Sequence, residues 1–223
     1  MTAFPDQAAL DYDKRILRLV PGYRVALDLM ACQLASRTTG EPRILVPGCG
    51  TGAEIIALAR HLPDARFTGF DPSEGMLGVA RARTAAAGIG ERTALTHGML
   101  HDLPDEPHHD AATVSLVLHF LPDDGTKLTF LTGIARRLVP GAPLLLFDAI
   151  DRNGDDDTLR IWLQSQGHDA ETVESVLRRM RGQWYRTTAE RLDQLLADAG
   201  FGEARTWFRA CGFHGVCAER RQA

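Results

Sequence analysis

The chain reads as an α/β protein with a mostly parallel sheet covered by helices on both faces. Short apolar runs of strand character alternate with amphipathic helices between residues 43 and 149, and the first run enters its helix through a glycine-rich turn. A third observation concerns the far end, where two strand-like runs are separated by Cys211-Gly212 alone. So short a connection cannot be a parallel crossover, and the chain should close with an antiparallel hairpin.

Before the first strand, Ile16, Leu17, Leu19 and Val20 keep helical spacing; Pro21-Gly22 breaks it, and Val25, Leu27, Leu29, Met30 and Leu34 resume it. Ile44-Leu45-Val46 reads as a buried strand, and Ala53, Ile55, Ile56 and Ala59 as the apolar face of the next helix. Then come a strand "ARFTGF", a helix opened by Ser73, strands "TALTHG" and "AATVSLV", a helix through Phe130 to Leu138, and a strand "PLLLFDA". The segment from 155 to 182 is helical again, with a hinge at Gly167-His168 and Asp169 as N-cap of its second helix. Thr187-Thr188-Ala189-Glu190 reads as a capping box that opens a helix over Leu192, Leu195 and Leu196, closed by Gly200. The runs "EARTWFRA" and "FHGVCA" form the hairpin.

A length of 223 residues suits one well-buried domain with additions. With a net charge of −4, the chain has no overall pull toward nucleic acid phosphates. Four cysteines without CxxC spacing, no leader-like start and no membrane-length apolar run give a cytoplasmic expectation, with no membrane partner. Asp151-x-Asn153-x-Asp155 imitates the opening of a calcium loop, but position twelve is Trp162, not glutamate. His101, His108, His109 and Asp110 lack a cysteine or an HExxH helix to complete a zinc site, so no metal is expected.

Gly48, Gly50 and Gly52 in "RILVPGCGTGAEIIALA" satisfy two fingerprints, one for dinucleotides and one for S-adenosylmethionine. Both need glycine because a ligand must lie against the backbone. Asp71, at the end of the second strand, stands where an acid accepts the ribose hydroxyls of a bound nucleoside. The helices before the first strand and the terminal hairpin separate the readings, since a dinucleotide dehydrogenase gives neither a reason to exist.

These features resemble the class I S-adenosylmethionine-dependent methyltransferases. The resemblance rests on "ILVPGCGTGAE", "GFDPSEGMLGVAR", "HGMLHDLP", "HDAATVSLVLHFLPD", "LVPGAPLLLFD" and "LLADAGF". It implies a Rossmann-like seven-stranded sheet and a single domain over 1-223. Within it, 1-40 form N-terminal helices, 41-150 the cofactor-binding core, 151-186 a helical cap insertion, and 187-223 the C-terminal helix and hairpin. Val46 stands where that family usually carries an acid, which would leave the methionine amino group to backbone carbonyls and water, and Met99 stands where many members place an acid after the third strand.

Both chain ends also resemble the enzymes that use carboxy-S-adenosylmethionine to carboxymethylate a tRNA wobble uridine, through "FPDQAALDYDKRILRLVPGYRVALDLM" and "TWFRACGFHGVCAER". By that resemblance Tyr23 contacts the cofactor, and Gly48, Cys49, Gly50 and Gly52 belong to the methionine loop. Asp71 and Pro72 fall on the ribose, Met76 follows on the next helix, Met99 and Leu100 fall on the adenine, and Ser115 on a position usually held by asparagine. An arginine for the extra carboxylate falls on Arg178, with Arg179 and Arg181 equally placed. The glycine pattern "GCGTG" is the ordinary methyltransferase form and leans toward methyl transfer.

Candidates for catalysis sit after the carboxyl ends of strands: His119, Asp148 and, from the cap, Tyr185. Each has a plainer reading, His119 as a turn residue and Asp148 as a loop cap. Trp184-Tyr185-Arg186 beside the arginine cluster either covers a flat or anionic acceptor or simply ends a basic helix. The expected function is methyl transfer from S-adenosylmethionine to a small-molecule acceptor. The alternatives are methyl or carboxymethyl transfer to tRNA and a non-catalytic cofactor-binding subunit; a homodimer is compatible with each.

Overall fold

A computed structural model describes residues 6–150 and 156–222, so the calcium-like run at 151–155 lies outside the described residues. Helices α1 (Asp6–Leu19) and α2 (Tyr23–Ala35) precede the sheet. Its strands are β1 (Arg43–Pro47), β2 (Arg66–Asp71), β3 (Thr93–His97), β4 (Ala111–Ser115), β5 (Pro143–Ala149), β6 (Arg205–Ala210) and β7 (Phe213–Glu219). They lie in the order β3-β2-β1-β4-β5-β7-β6, with β7 antiparallel to both its neighbours and the other pairs parallel. Cys211 and Gly212, at φ 45° and 81°, make the tight turn that puts β7 inside and leaves β6 at the edge.

Strand β5 is buried at every position, as a strand covered on both faces must be. One face carries α1, α2, α3 (Ala53–His61), α4 (Glu74–Ala86) and the cap helices α6 (Asp156–Ser165) and α7 (Ala170–Gly182), through Leu27, Met30, Ile55, Leu77, Leu163 and Leu177. The other carries α5 (Thr126–Arg137) and α8 (Ala189–Asp198), through Leu131, Ile134, Leu195 and Leu196. Burying such side chains contributes roughly 1.5–3 kcal/mol each against leaving them in water. The cap therefore shares the main core instead of riding above it. At Gly22, φ is 72° and a Cβ would sit 2.8 Å from Phe208, so the break between α1 and α2 is also where they seat on the edge strand.

Two boundaries differ from the pattern in the sequence. The fourth strand stops at Ser115 because Leu116 takes φ 57°, a left-handed conformation costly for leucine, which turns the chain toward Asp148. The cap of α8 is Thr188 rather than Thr187: its hydroxyl accepts from the Arg191 amide, so arginine and not Glu190 occupies the third helical position and no reciprocal box closes. Ser73 and Asp169 cap α4 and α7 through the Met76 and Thr172 amides, as their positions predict.

Candidate active site

The glycine turn is held by contacts that leave one side bare. Gly48 is crowded, since a Cβ there would meet Val117 at 2.6 Å; at Gly52 it would meet Ala80 at 3.2 Å. At Gly50, by contrast, φ is 51° and nothing lies within 4 Å of a Cβ position. Only the middle glycine faces open space, which is the cradle a ligand backed onto main chain requires. Cys49 donates its amide to the Phe70 carbonyl at 3.0 Å and packs its sulfur toward Gly69; burial pushes its thiol pKa up, so it remains neutral. It serves the loop through its backbone.

Asp71 ties this turn to the end of β2, accepting from the Gly50 amide at 3.0 Å on one oxygen and the Ser73 amide at 2.9 Å on the other. Each oxygen keeps a further lone pair for a hydroxyl. Burial raises the Asp71 pKa, against the opposing pull of the two amides. A latch from α1 closes the far side: Asp13 accepts from the Thr51 hydroxyl at 2.7 Å and pairs with Arg83, which also donates to Thr51. Tyr12 is half-buried beside this latch, and desolvation raises its pKa, opposed by Arg15 and reinforced by Asp13, Asp71 and Asp148. Nothing in the local sequence marks Tyr12 or Asp13 as site residues; their four-residue spacing from Ile16 and Leu17 is the one available hint.

At the ends of β4 and β5, His119 and Asp148 form a pair with Nδ1 to carboxylate oxygen 2.6 Å apart, both buried. The amides of Val117, Leu118 and Ala149 also donate to this carboxylate, at 2.9, 2.7 and 2.7 Å. An acceptor-only carboxylate requires the proton to sit on His119 Nδ1, which leaves Nε2 as the basic nitrogen. Nε2 is buried and has no partner among the described residues. Phe120 and Trp184 hold the ring between them, with centroids 4.0 and 4.2 Å away. Lys127, fully buried, donates to the carbonyls of Leu118 and Leu121 at 2.6 Å each and fixes the turn that carries His119. Desolvation lowers the Lys127 pKa, partly offset by Asp148.

Two cavities flank these groups. The larger, of about 910 Å³, runs along Gly48, Phe70, Met99, Leu100 and Val117, so the structure brings the expected adenine residues to one wall beside the loop. The smaller, of about 120 Å³, lies under the cap with His119, Phe120 and Trp184 on its lining. Tyr185 is 54% exposed and outside that lining; its amide donates to the His119 carbonyl at 2.8 Å, while Trp184 supplies the aromatic wall. Arg178 is exposed and also outside it, and Arg179 lines the cavity instead. Arg179 is itself exposed, and the register of α7, unreadable from sequence, decides which arginine reaches the edge of this cavity. Tyr23 is buried against Phe147 and lines a separate groove with Asp13 and Arg83. Met76 lies in the core of α4, Pro72 offers its carbonyl to His97, and the buried Ser115 hydroxyl at the end of β4 is unpartnered.

Glu54 escapes a motif reading. It follows the loop on α3, 5% exposed, with one oxygen unpartnered and the Thr113 hydroxyl of β4 beside it. Desolvation pushes its pKa up to about 7, against a smaller lowering by Thr113. Below the ordinary glutamate value the group is neutral in both folded and unfolded chains. As pH rises toward 7, the unfolded chain ionises first and stability is lost, by about 3 kcal/mol in the limit. Glu54→Gln should therefore raise the melting temperature at pH 8 by about 6–12 °C and leave it nearly unchanged at about pH 4. An equal shift at both pH values would show that the carboxylate is already paired.

Fold and site define a class. A parallel sheet ending in an inserted antiparallel strand, a glycine cradle after β1 and a carboxylate at the end of β2 are features that this chain shares with class I S-adenosylmethionine-dependent methyltransferases. Residues 44–141 match the family model described as "Methyltransferase domain", so that domain, with S-adenosylmethionine as the cofactor of its class, is carried by the core of the chain. The carboxy-S-adenosyl-L-methionine synthase of Shewanella amazonensis is 28% identical over 226 residues, covering 96% of this chain and 91% of its own length. The demethylmenaquinone methyltransferase of Bacillus cytotoxicus is 33% identical over 102 residues, 45% of this chain and 41% of its own. An O-methyltransferase family protein from Burkholderia thailandensis superposes with a TM-score of 0.72 at 14% identity, over 96% of this chain and 60% of that one. That last likeness is one of fold. The chain spans a quarter of an uncharacterised Synechococcus relative that is 38% identical over 109 residues. No described helix is long and apolar enough to cross a membrane.

Proposed function

We propose that the chain is an S-adenosylmethionine-dependent methyltransferase of the reducing cytoplasm, acting on a small-molecule acceptor, with His119 as its general base. The observation that carries this reading is the buried His119–Asp148 pair, in which Nε2 has no partner among the described residues and the histidine lines the capped cavity. The cradle at Gly50 and the carboxylate of Asp71 fit the cofactor's backbone-hugging tail and ribose; Met99, Leu100 and Phe70 fit its base. When bound, S-adenosylmethionine supplies a methyl group on a positively charged sulfur.

For an acceptor hydroxyl, His119 Nε2 takes the proton as oxygen attacks the methyl carbon. The proton would rest on an imidazolium that Asp148 stabilises, while the bound cofactor would supply the methyl group and take the electron pair back at its sulfur. The cap and α1 exclude water, and the loop and aromatic walls hold the reactants in line. A second reading, chemistry at a carboxylated form of the cofactor, draws on the coverage of 91% of the Shewanella amazonensis carboxy-S-adenosyl-L-methionine synthase. Transfer to tRNA has less support, given the net charge of −4.

Native mass spectrometry of freshly purified protein tests these readings. Release of S-adenosylmethionine or its demethylated product supports methyl transfer, and carboxy-S-adenosylmethionine favours the second reading. A nicotinamide dinucleotide would overturn both.

A further inference from the structure

We infer that Glu54 receives the α-ammonium group of the cofactor's methionine tail, an inference that rests on the methyltransferase reading above. The sheet brings this carboxylate to the place where its strands part. Strands β1, β2 and β3 run outward to one side and β4 and β5 to the other, so the order reverses between β1 and β4. Ligands of open α/β sheets lie in the crevice at such a reversal, outside the carboxyl ends of the strands. The β1–β4 ladder holds two pairs, Ile44 with Ala111 and Leu45 with Ala112, and stops there.

Above that point the face of β4 toward α3 is polar and unsatisfied. Ala111 packs in the core on the α3 side, Ala112 and Val114 in the core on the α5 side, so the alternation of the strand turns Thr113 and Ser115 toward α3. Glu54 stands in the first turn of α3 with the Thr113 hydroxyl beside it. One Glu54 oxygen, the Thr113 hydroxyl and the Ser115 hydroxyl are each buried without a partner among the described residues. The glycine loop is close by, since the Glu54 charge acts on the Cys49 thiol as well as on the Tyr23 phenol.

These oxygens lack a cation that can donate hydrogen bonds. Asp71 holds two amides and Asp13 holds Arg83, whereas no lysine or arginine pairs with Glu54 among the described residues. Burial, which outweighs the Thr113 hydroxyl, pushes its pKa up to about 7, and an adjacent cation restores the ionised form. Strand β1 offers no acid here, because Val46 is its residue on the α3 side. A metal ion is a poorer occupant, since no three histidine, cysteine or acidic side chains gather among the described residues. An ammonium group is a single positive charge with three donors, which suits one carboxylate with a hydroxyl nearby. The cofactor carries that group on the tail that the cradle at Gly50 receives.

The test is calorimetry on the full chain at neutral pH, titrated with S-adenosylhomocysteine and with its deaminated analogue, in which hydrogen replaces the α-amino group. The parent should bind S-adenosylhomocysteine at least about 10-fold tighter than the analogue, the scale of one hydrogen bond between charged groups. Glu54→Gln should shrink that preference below about 3-fold by weakening S-adenosylhomocysteine alone. This variant is expected to melt no lower than the parent, and unchanged affinity for the analogue shows that its cradle is intact. Equal binding of the two ligands by the parent, a preference that survives Glu54→Gln, or a loss that falls equally on both ligands overturns the inference. The polar face is then a water site or a support for the loop, and the methyltransferase reading stands. Failure of the parent to bind S-adenosylhomocysteine removes both.

Discussion

His119→Gln is expected to reduce turnover by about 10²- to 10⁴-fold while S-adenosylhomocysteine binds as before. Glutamine approximates the length of histidine but cannot accept and hold a proton as imidazole does. The substitution thus removes the base and keeps most of the packing between Phe120 and Trp184. Product formation and calorimetric cofactor affinity should be measured on the same preparation, with the melting temperature as control for folding. Turnover within a few-fold of the parent would show that Nε2 takes no proton in the rate-limiting step, and the pair would be a structural tie between β4 and β5. The geometry argues for the chemical role because a structural tie needs Nδ1 alone, yet Nε2 is buried without a partner among the described residues, on a histidine that lines the capped cavity.

The second large effect falls on the cofactor. Asp71→Ala should weaken binding by about 100-fold, the loss of two charge-assisted hydrogen bonds. Its carboxylate acts twice, receiving ribose hydroxyls on its outward lone pairs and pinning the Gly50 amide so that the cradle keeps its shape. Asp71→Asn separates these contributions, because one amide oxygen can still receive a single donor while the new NH2 group faces another. It should fall between alanine and the parent, and affinity unchanged in Asp71→Ala would overturn the site. Burial raises the Asp71 pKa, so protonation on acidification begins above the ordinary aspartate range. Affinity should fall as pH drops through that raised value.

Much of this site is legible in the chain because it depends on local geometry. Glycine at 48, 50 and 52 reports a backbone that must turn left-handed and lie bare, and φ is positive at all three. Asp71 closes a strand whose length is set by its apolar run, so its position at the sheet's carboxyl edge follows from periodicity. His119 follows β4, and Asp148 stands one residue from the end of β5, on that same edge. That their strands are neighbours, and that the two side chains meet at 2.6 Å, emerges from the strand order.

Other features have no local signal. Lys127 is a lysine on an amphipathic helix, ordinarily a solvated residue, yet it is buried beneath the His119 turn, where its ammonium donates to the carbonyls of Leu118 and Leu121. Glu54 is ordinary for the first turn of a helix, and only the sheet packed beneath it makes its carboxylate costly. The choice of Arg179 over Arg178 and of Trp184 over Tyr185 is a matter of rotation about the α7 axis and the turn that follows it.

By itself, then, the sequence determined the class of fold, the glycine cradle, the carboxylate at the second strand and the terminal hairpin, because each is encoded within a few consecutive residues by backbone sterics and hydrophobic period. Tertiary structure alone decided which residues face the acceptor cavity, which nitrogen of His119 is free, and which charges are left unpaired. Those outcomes depend on side chains brought together from α1, β4, β5 and the cap, and on the water their packing excludes, neither of which a linear spacing can express.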